Sequence, residues 1–173
     1  LRLDSGPLAV CSREIEILQD DTTPTLGSRL SEVGGNLIRQ NLKNILEGNF
    51  TLTEQNESKA NYCGIIKKGD GHVNWKEETA HEIDRKLRAF TPWPGIFSFY
   101  KIKSKSYSRQ RLQFTKAEIV EGNFECGKIY PDMTIGANTD GLKILSLKPE
   151  GKKEMDADSF LRGNSEILGT VLE

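Results

Sequence analysis

The chain has 173 residues, 36% of them hydrophobic and 28% charged, with a net charge of -1; this is the composition of a globular protein of one large or two small domains. Its apolar runs fall well short of the ~20 residues a membrane-spanning helix needs, and its first residues lack a charged-then-apolar secretory pattern, so no membrane partner and a cytoplasmic location are expected. Cys11, Cys63 and Cys126 match no paired spacing and only His72 and His81 could join them as soft ligands, so neither a disulfide framework nor a metal site is expected.

Leu1-Arg2-Leu3-Asp4 enters a strand-like run with neither a methionine nor a helix cap, and the chain is expected to begin inside a domain. Asp4 precedes Ser5-Gly6, a combination common in tight turns. Leu8 to Leu18 contains a strand candidate in which Ile15 and Ile17 alternate with Glu14 and Glu16. Asp20-Asp21-Thr22-Thr23-Pro24 starts a helix, with Thr23 able to cap and Pro24 suited to the first turn. Leu26, Leu30, Val33, Leu37 and Ile45 follow at helical spacing as one apolar stripe that ends near Gly48. A strand feeding an amphipathic helix is the rhythm of an α/β sheet.

From Asn49 to about Gly71 the composition turns polar, as a linker does. The capping box Thr79-x-x-Glu82 then opens a second helix that reaches about Phe90 and packs Ala80, Ile83, Leu87 and Phe90 inward. Pro92 and Pro94 end it, because each removes a backbone donor and pushes the preceding residue out of helical space. Arg88 and Trp93, beside that turn, suit an architectural role. Short strands are expected near 96–103, 110–120, 127–136 and 142–147, with a turn at Asn138-Thr139-Asp140-Gly141. Regular short strands of this kind suggest a small barrel or sandwich. A last helix starts at Asp156 and stops before Gly163.

The charge is segregated. Residues 1–57 hold five Lys/Arg against nine Asp/Glu, and 118–173 hold six against eleven. From Arg85 to Ala117 there are nine basic residues and no acid, a local charge of +9. Cations without interspersed carboxylates attract polyanions such as nucleic-acid phosphates. The same run also fits a solvated basic strand pair whose aromatics (Phe97, Phe99, Tyr100, Tyr107, Phe114) face a core.

Three strings in order resemble one family. Leu3-Asp4-Ser5-Gly6-Pro7 resembles the turn that carries the catalytic aspartate of folate-dependent formyltransferases. Arg88-Ala89-Phe90-Thr91-Pro92-Trp93-Pro94-Gly95 resembles the helix end and proline turn opening the C-terminal domain of methionyl-tRNA formyltransferases. Leu145 to Met155 is similar to that domain's late strand and loop. Between them, Gln55-Asn56-Glu57-Ser58, Tyr62 and Gly71-His72-Val73-Asn74-Trp75 fit the interdomain connector, with His72 and Asn74 where the family more often has arginine and aspartate.

The resemblance implies an α/β remnant of a Rossmann-like formyltransferase domain followed by a small OB-like β-barrel. On this basis residues 1–57 end a catalytic domain, 58–78 connect, and 79–173 form an OB-like tRNA-binding domain. The implied reaction moves a formyl group from 10-formyltetrahydrofolate to the α-amino group of methionine on initiator tRNA. Such chemistry stabilises a developing oxyanion and relocates a proton. Asp4 is the implied catalytic residue; the family's asparagine and histidine, and its folate-binding half, are not found in this sequence, so the chain alone is expected to be inactive. Lys101, Lys103, Lys105, Arg109 and Arg111 are the implied phosphate contacts, followed by Lys67 and Lys68. Lys152 and Lys153 fit either an RNA contact or a solvated loop. A monomer is expected. Two alternatives stay open: a formyltransferase-fold enzyme acting on an amino sugar or formyl-folate, and a non-enzymatic nucleic-acid-binding module.

Overall fold

A computed structural model describes residues 4–101 and 109–173. The chain divides into two compact units, Leu1–Ile65 and Ile66–Glu173.

The first unit is built around one long helix, α1 (Thr23–Leu46). Its cap is Thr22 rather than Thr23: the Thr22 side chain accepts from the Thr25 backbone, while Thr25 Oγ1 accepts from the Thr22 N–H at 2.9 Å. The hydroxyl pair thus satisfies two of the donors that every helix start leaves open. Asp21 tightens the entry by accepting from the Leu18 N–H at 2.8 Å and from Thr25 Oγ1 at 3.1 Å, and it pairs with Arg29. Gly48 takes φ 72 just past the helix end, where a left-handed residue closes the last turn. The expected stripe is half-buried at Leu26, Val33, Leu37 and Ile45, but Leu30 is exposed, and among the described residues α1 has no fully buried side chain.

The strand expected at Leu8–Leu18 is not formed among the described residues. One antiparallel bridge, Leu8 with Thr53, is present instead, with both backbone bonds made at 2.8 and 2.9 Å. Alternation of Ile and Glu needs a neighbouring strand to fix it, and residues 9–18 have no such neighbour in this unit.

In the second unit the antiparallel sheet runs β1 (Ile96–Lys101), β2 (Arg109–Val120), β4 (Gly141–Pro149), β3 (Thr134–Gly136), with β5 (Met155–Asp156) added to β4. Helix α2 (Ala80–Ala89) opens with the expected capping box, Thr79 and Glu82 each satisfying the other's backbone. It packs Ile83 and Leu87 against β2 and β4, each apolar side chain of that size stabilising by roughly 1.5–3 kcal/mol when fully buried. Helix α3 (Ala157–Gly163) is capped by Asp156, whose carboxylate accepts from the Ser159 N–H at 2.7 Å. Val73 and Trp75 join this core. The Trp75 indole N–H donates to Ser98 Oγ at 2.9 Å, and that hydroxyl donates onward to the Glu173 carbonyl at 2.7 Å.

β2 is twelve residues long and carries register shifts around Lys116, the kind of irregularity that bends a strand. The third expected strand is shorter than 127–136: only Thr134–Gly136 is regular, and the residues before it make single bridges. Ile129 pairs with Ile135, Lys128 with Val171, and Glu173 exchanges both backbone bonds with Phe99 at 3.0 and 2.8 Å. The named strands make an open antiparallel sheet.

Candidate nucleic-acid interface

The β1–β2 register decides which side chains face outward. Ile96, Ser98 and Tyr100 sit opposite Phe114, Leu112 and Gln110, and this set turns to the core. The alternate set pairs Phe97 with Gln113, Phe99 with Arg111, and Lys101 with Arg109. Period-two alternation therefore gathers two aromatic rings and three cations on one face.

The rings hold the guanidinium groups. Arg109 lies over Phe99 at 4.4 Å from the ring centroid, and Arg111 over Phe97 at 3.9 Å. Phe97 and Phe99 meet edge to face at 5.5 Å, and His72 packs on both at 5.5 and 5.9 Å. Among the described residues neither arginine has a carboxylate within ion-pair distance. Arg111 Nε and Nη2 are buried without a hydrogen-bond partner. Burial lowers the pKa of Arg111 from its ordinary value against the opposing attraction of Glu150, yet a guanidinium remains charged at any physiological pH. An arginine stacked on a ring and lacking an acceptor is prepared for an anion.

A hollow of about 580 Å³ opens here, lined by Lys68, Phe97, Arg111, Gln113, Lys148 and Glu150 among others. A second hollow of about 310 Å³ shares Phe97 and Phe99 and adds His72 and Arg109. Lys68 reaches the hollow because of a tight turn in which Asp70 accepts from the Lys67 N–H at 2.7 Å. Gly71 in that turn lies so close to the Gly95 carbonyl that a Cβ would collide with it.

The residues expected at the interface divide accordingly. Arg109, Arg111 and Lys68 come together. Lys101 shares the face but is matched by Glu173 at 2.5 Å, and that hydrogen bond, with the charge of Lys101 behind it, lowers the Glu173 pKa. Lys67 is exposed and does not line the hollow. Lys103 and Lys105 lie outside the described residues. The +9 of the basic run is also smaller in space than in sequence: Lys86 pairs with Glu78 at 2.8 Å and Arg88 with Asp84 at 3.0 Å. Gln113 and Lys148 are additions that periodicity could not supply, since Lys148 meets Gln113 only through the β2–β4 register. Trp93, expected to be architectural, is 59% exposed.

In the first unit Asp4 is exposed and adopts φ 57, a left-handed conformation that Asp tolerates better than most residues. It borders a hollow of about 910 Å³ with Gln55, Asn56, Asn61 and Tyr62. Gln55 Nε2 donates to the carbonyls of Asp4 at 2.9 Å and Gly6 at 2.6 Å. Among the described residues no group of His, Cys, Asp and Glu could hold a metal ion, and no helix is long and apolar enough to cross a membrane.

Comparison with known proteins places these features. The family model described as "Formyl transferase, C-terminal domain" matches residues 65–165. The methionyl-tRNA formyltransferase of Caldanaerobacter subterraneus subsp. tengcongensis is 32% identical over 99% of this chain and 54% of its own length. That of Dehalococcoides mccartyi is 35% identical over 98% of this chain and 53% of its own. The chain thus spans about half the length of the curated relatives it matches. Among solved structures, a variant of HypX from Aquifex aeolicus matches with TM-score 0.62 and 17% identity over 97% of this chain and 30% of that one. HypX crystallised with tetrahydrofolic acid matches with TM-score 0.51, at 17% identity over 79% of this chain and 23% of its own. At such identity the likeness is one of fold.

Proposed function

We infer that this chain, which belongs to the formyl transferase C-terminal domain family over residues 65–165, holds initiator tRNA for formylation of the α-amino group of its methionine. The donor in this reading is 10-formyltetrahydrofolate. The single observation that carries it is the pair of arginines lying over Phe99 and Phe97 with, among the described residues, no carboxylate within ion-pair distance. Basic side chains paired to acids solubilise a surface; basic side chains held by aromatic rings keep their charge available for phosphates. The relatives named methionyl-tRNA formyltransferase support the choice of RNA.

The second unit is then an OB-like barrel. Support comes from a ring of backbone bonds: β1 to β2, β2 to β4, β4 to β3, β3 to Ile129 through Ile135, Lys128 to Val171, and Glu173 back to Phe99. Such a circuit is how a small sheet removes its edges. Residues 1–57 are read as the end of the catalytic domain, 58–78 as the connector and 79–173 as the RNA-gripping domain. Asp4 is read as the carboxylate that assists proton movement while the methionine amine attacks the formyl carbon and the folate nitrogen departs. We assign none of this chain's residues to the folate itself. A monomer working in the cytoplasm completes the reading.

The test is acceptor choice. A full-length protein carrying this sequence, given 10-formyltetrahydrofolate, is expected to formylate methionyl initiator tRNA and to leave nucleotide-linked amino sugars untouched. Formylation of the amino sugar with none of the tRNA overturns the reading.

A further inference from the structure

In the first unit one side chain reaches across the chain to Asp4, read above as the acting carboxylate. Gln55 Nε2 donates to the Asp4 and Gly6 carbonyls, partners 51 and 49 residues away in sequence. A carboxamide has two N–H donors, and both are used here.

The local geometry explains why a side chain is needed. Leu8 and Thr53 face each other as an antiparallel pair. Extending that register by two residues would bring Gly6 opposite Gln55, but among the described residues no backbone bond joins the two, and Asp4 turns left-handed. The Gln55 amide bonds the two carbonyls that this turn leaves, one on Asp4 itself and one two residues beyond it. The clasp holds an exposed turn whose first residue is left-handed.

We propose that Gln55 is the positioning residue for Asp4, fixing the turn so that the Asp4 carboxylate stays at the rim of the hollow that the two residues line together. This rests on the reading of Asp4 as the acting carboxylate in formyl transfer. Gln55 touches no reacting atom; it acts by holding the backbone from which the carboxylate projects. Glutamate at this position is isosteric but has no N–H, and it sets a negative charge against two carbonyl oxygens. Methionine keeps the length and removes all polarity. Asparagine is one methylene too short for both carbonyls.

The experiment is a double-variant cycle in a full-length enzyme carrying this sequence, read as kcat and KM for methionyl initiator tRNA. The variants are Asp4→Asn, which tolerates the left-handed backbone, then Gln55→Glu and Gln55→Met, each alone and combined with Asp4→Asn. Gln55→Glu and Gln55→Met are each expected to lower kcat by roughly ten- to a hundredfold, the scale of a small misplacement of a catalytic group. KM for the tRNA and the thermal unfolding midpoint stay at wild-type values, because Gln55 is exposed and away from any core. In the Asp4→Asn background the same substitutions cost nothing further, as expected for residues that act as a unit. If Asp4→Asn lowers kcat but neither Gln55 variant does, or if the Gln55 losses persist undiminished in the Asp4→Asn background, the proposal is overturned while the reading of Asp4 stands. If Asp4→Asn leaves kcat unchanged, the reading of Asp4 falls, and the proposal with it.

Discussion

Replacing Arg109 and Arg111 by methionine removes the two charges while keeping side chains long enough to cover Phe99 and Phe97. Each phosphate neutralised by a protein cation releases about 0.9 of a condensed counterion from a duplex. If each arginine meets one phosphate, the slope of log K against log salt becomes shallower by about 0.9 for either single variant and about 1.8 for the pair. At ~0.1 M salt that release is worth about one decade, or ~1.2 kcal/mol, per contact, so the double variant should bind initiator tRNA about 60-fold more weakly. The assay is a filter-binding titration of the chain across a salt series. Lys128→Met is the control, because Lys128 is already matched by Glu125 at 2.7 Å and its loss should leave the slope alone. A thermal melt run alongside registers the cation–π loss, expected at about 0.5–1 kcal/mol per arginine. If the double variant keeps the wild-type slope, or the control loses as much as the arginines do, the assignment of the β1–β2 face to phosphate is wrong.

Two further predictions concern stability. Ile83→Ala removes a fully buried side chain of α2 and should destabilise the second unit by about 2–5 kcal/mol in chemical denaturation, the usual range for emptying such a site; a loss under about 1 kcal/mol contradicts the packing of α2 on β2 and β4. The Glu82 carboxyl is held below its ordinary value near 4.5 by the Thr79 N–H first and the Thr79 hydroxyl second. A lowered folded-state pKa adds stability that is complete above the unfolded value and disappears as pH falls through the folded one. Unfolding free energy should therefore drop on acidification from about pH 5 to pH 3, and Glu82→Gln, which can keep the capping geometry, should flatten that drop; an unchanged profile refutes the role of the carboxylate.

Local signals in this sequence translated well where one residue satisfies a near neighbour. The Thr79–Glu82 box set the start of α2, and Asp156 set the start of α3, because a cap is decided within a single turn. With Thr22 and Thr23 adjacent, either hydroxyl could have capped α1, and Thr25 decided for Thr22. β1 and β2 were legible from alternation, whereas β5 is two residues long and owes its existence to β4. The strand expected within Leu8–Leu18 had the right alternation but, among the described residues, no partner beyond the Leu8–Thr53 bridge. The basic run was visible in the sequence, but its distribution was not: whether Lys101 meets Glu173, or Arg111 meets Phe97, depends on which strands are neighbours. Gln55 was noticed only as part of a polar connector, since nothing in its own neighbourhood points 51 residues back to Asp4.

The surface of the chain that RNA touches can be located directly. Backbone amide shifts of the isotope-labelled chain, followed as initiator tRNA is added at low salt, locate that surface without any substitution. The expected result is that the largest changes fall on Lys68, Phe97, Phe99, Arg109, Arg111 and Lys148. Changes centred instead on α2 or around Lys128, or no saturable change at all, contradict it.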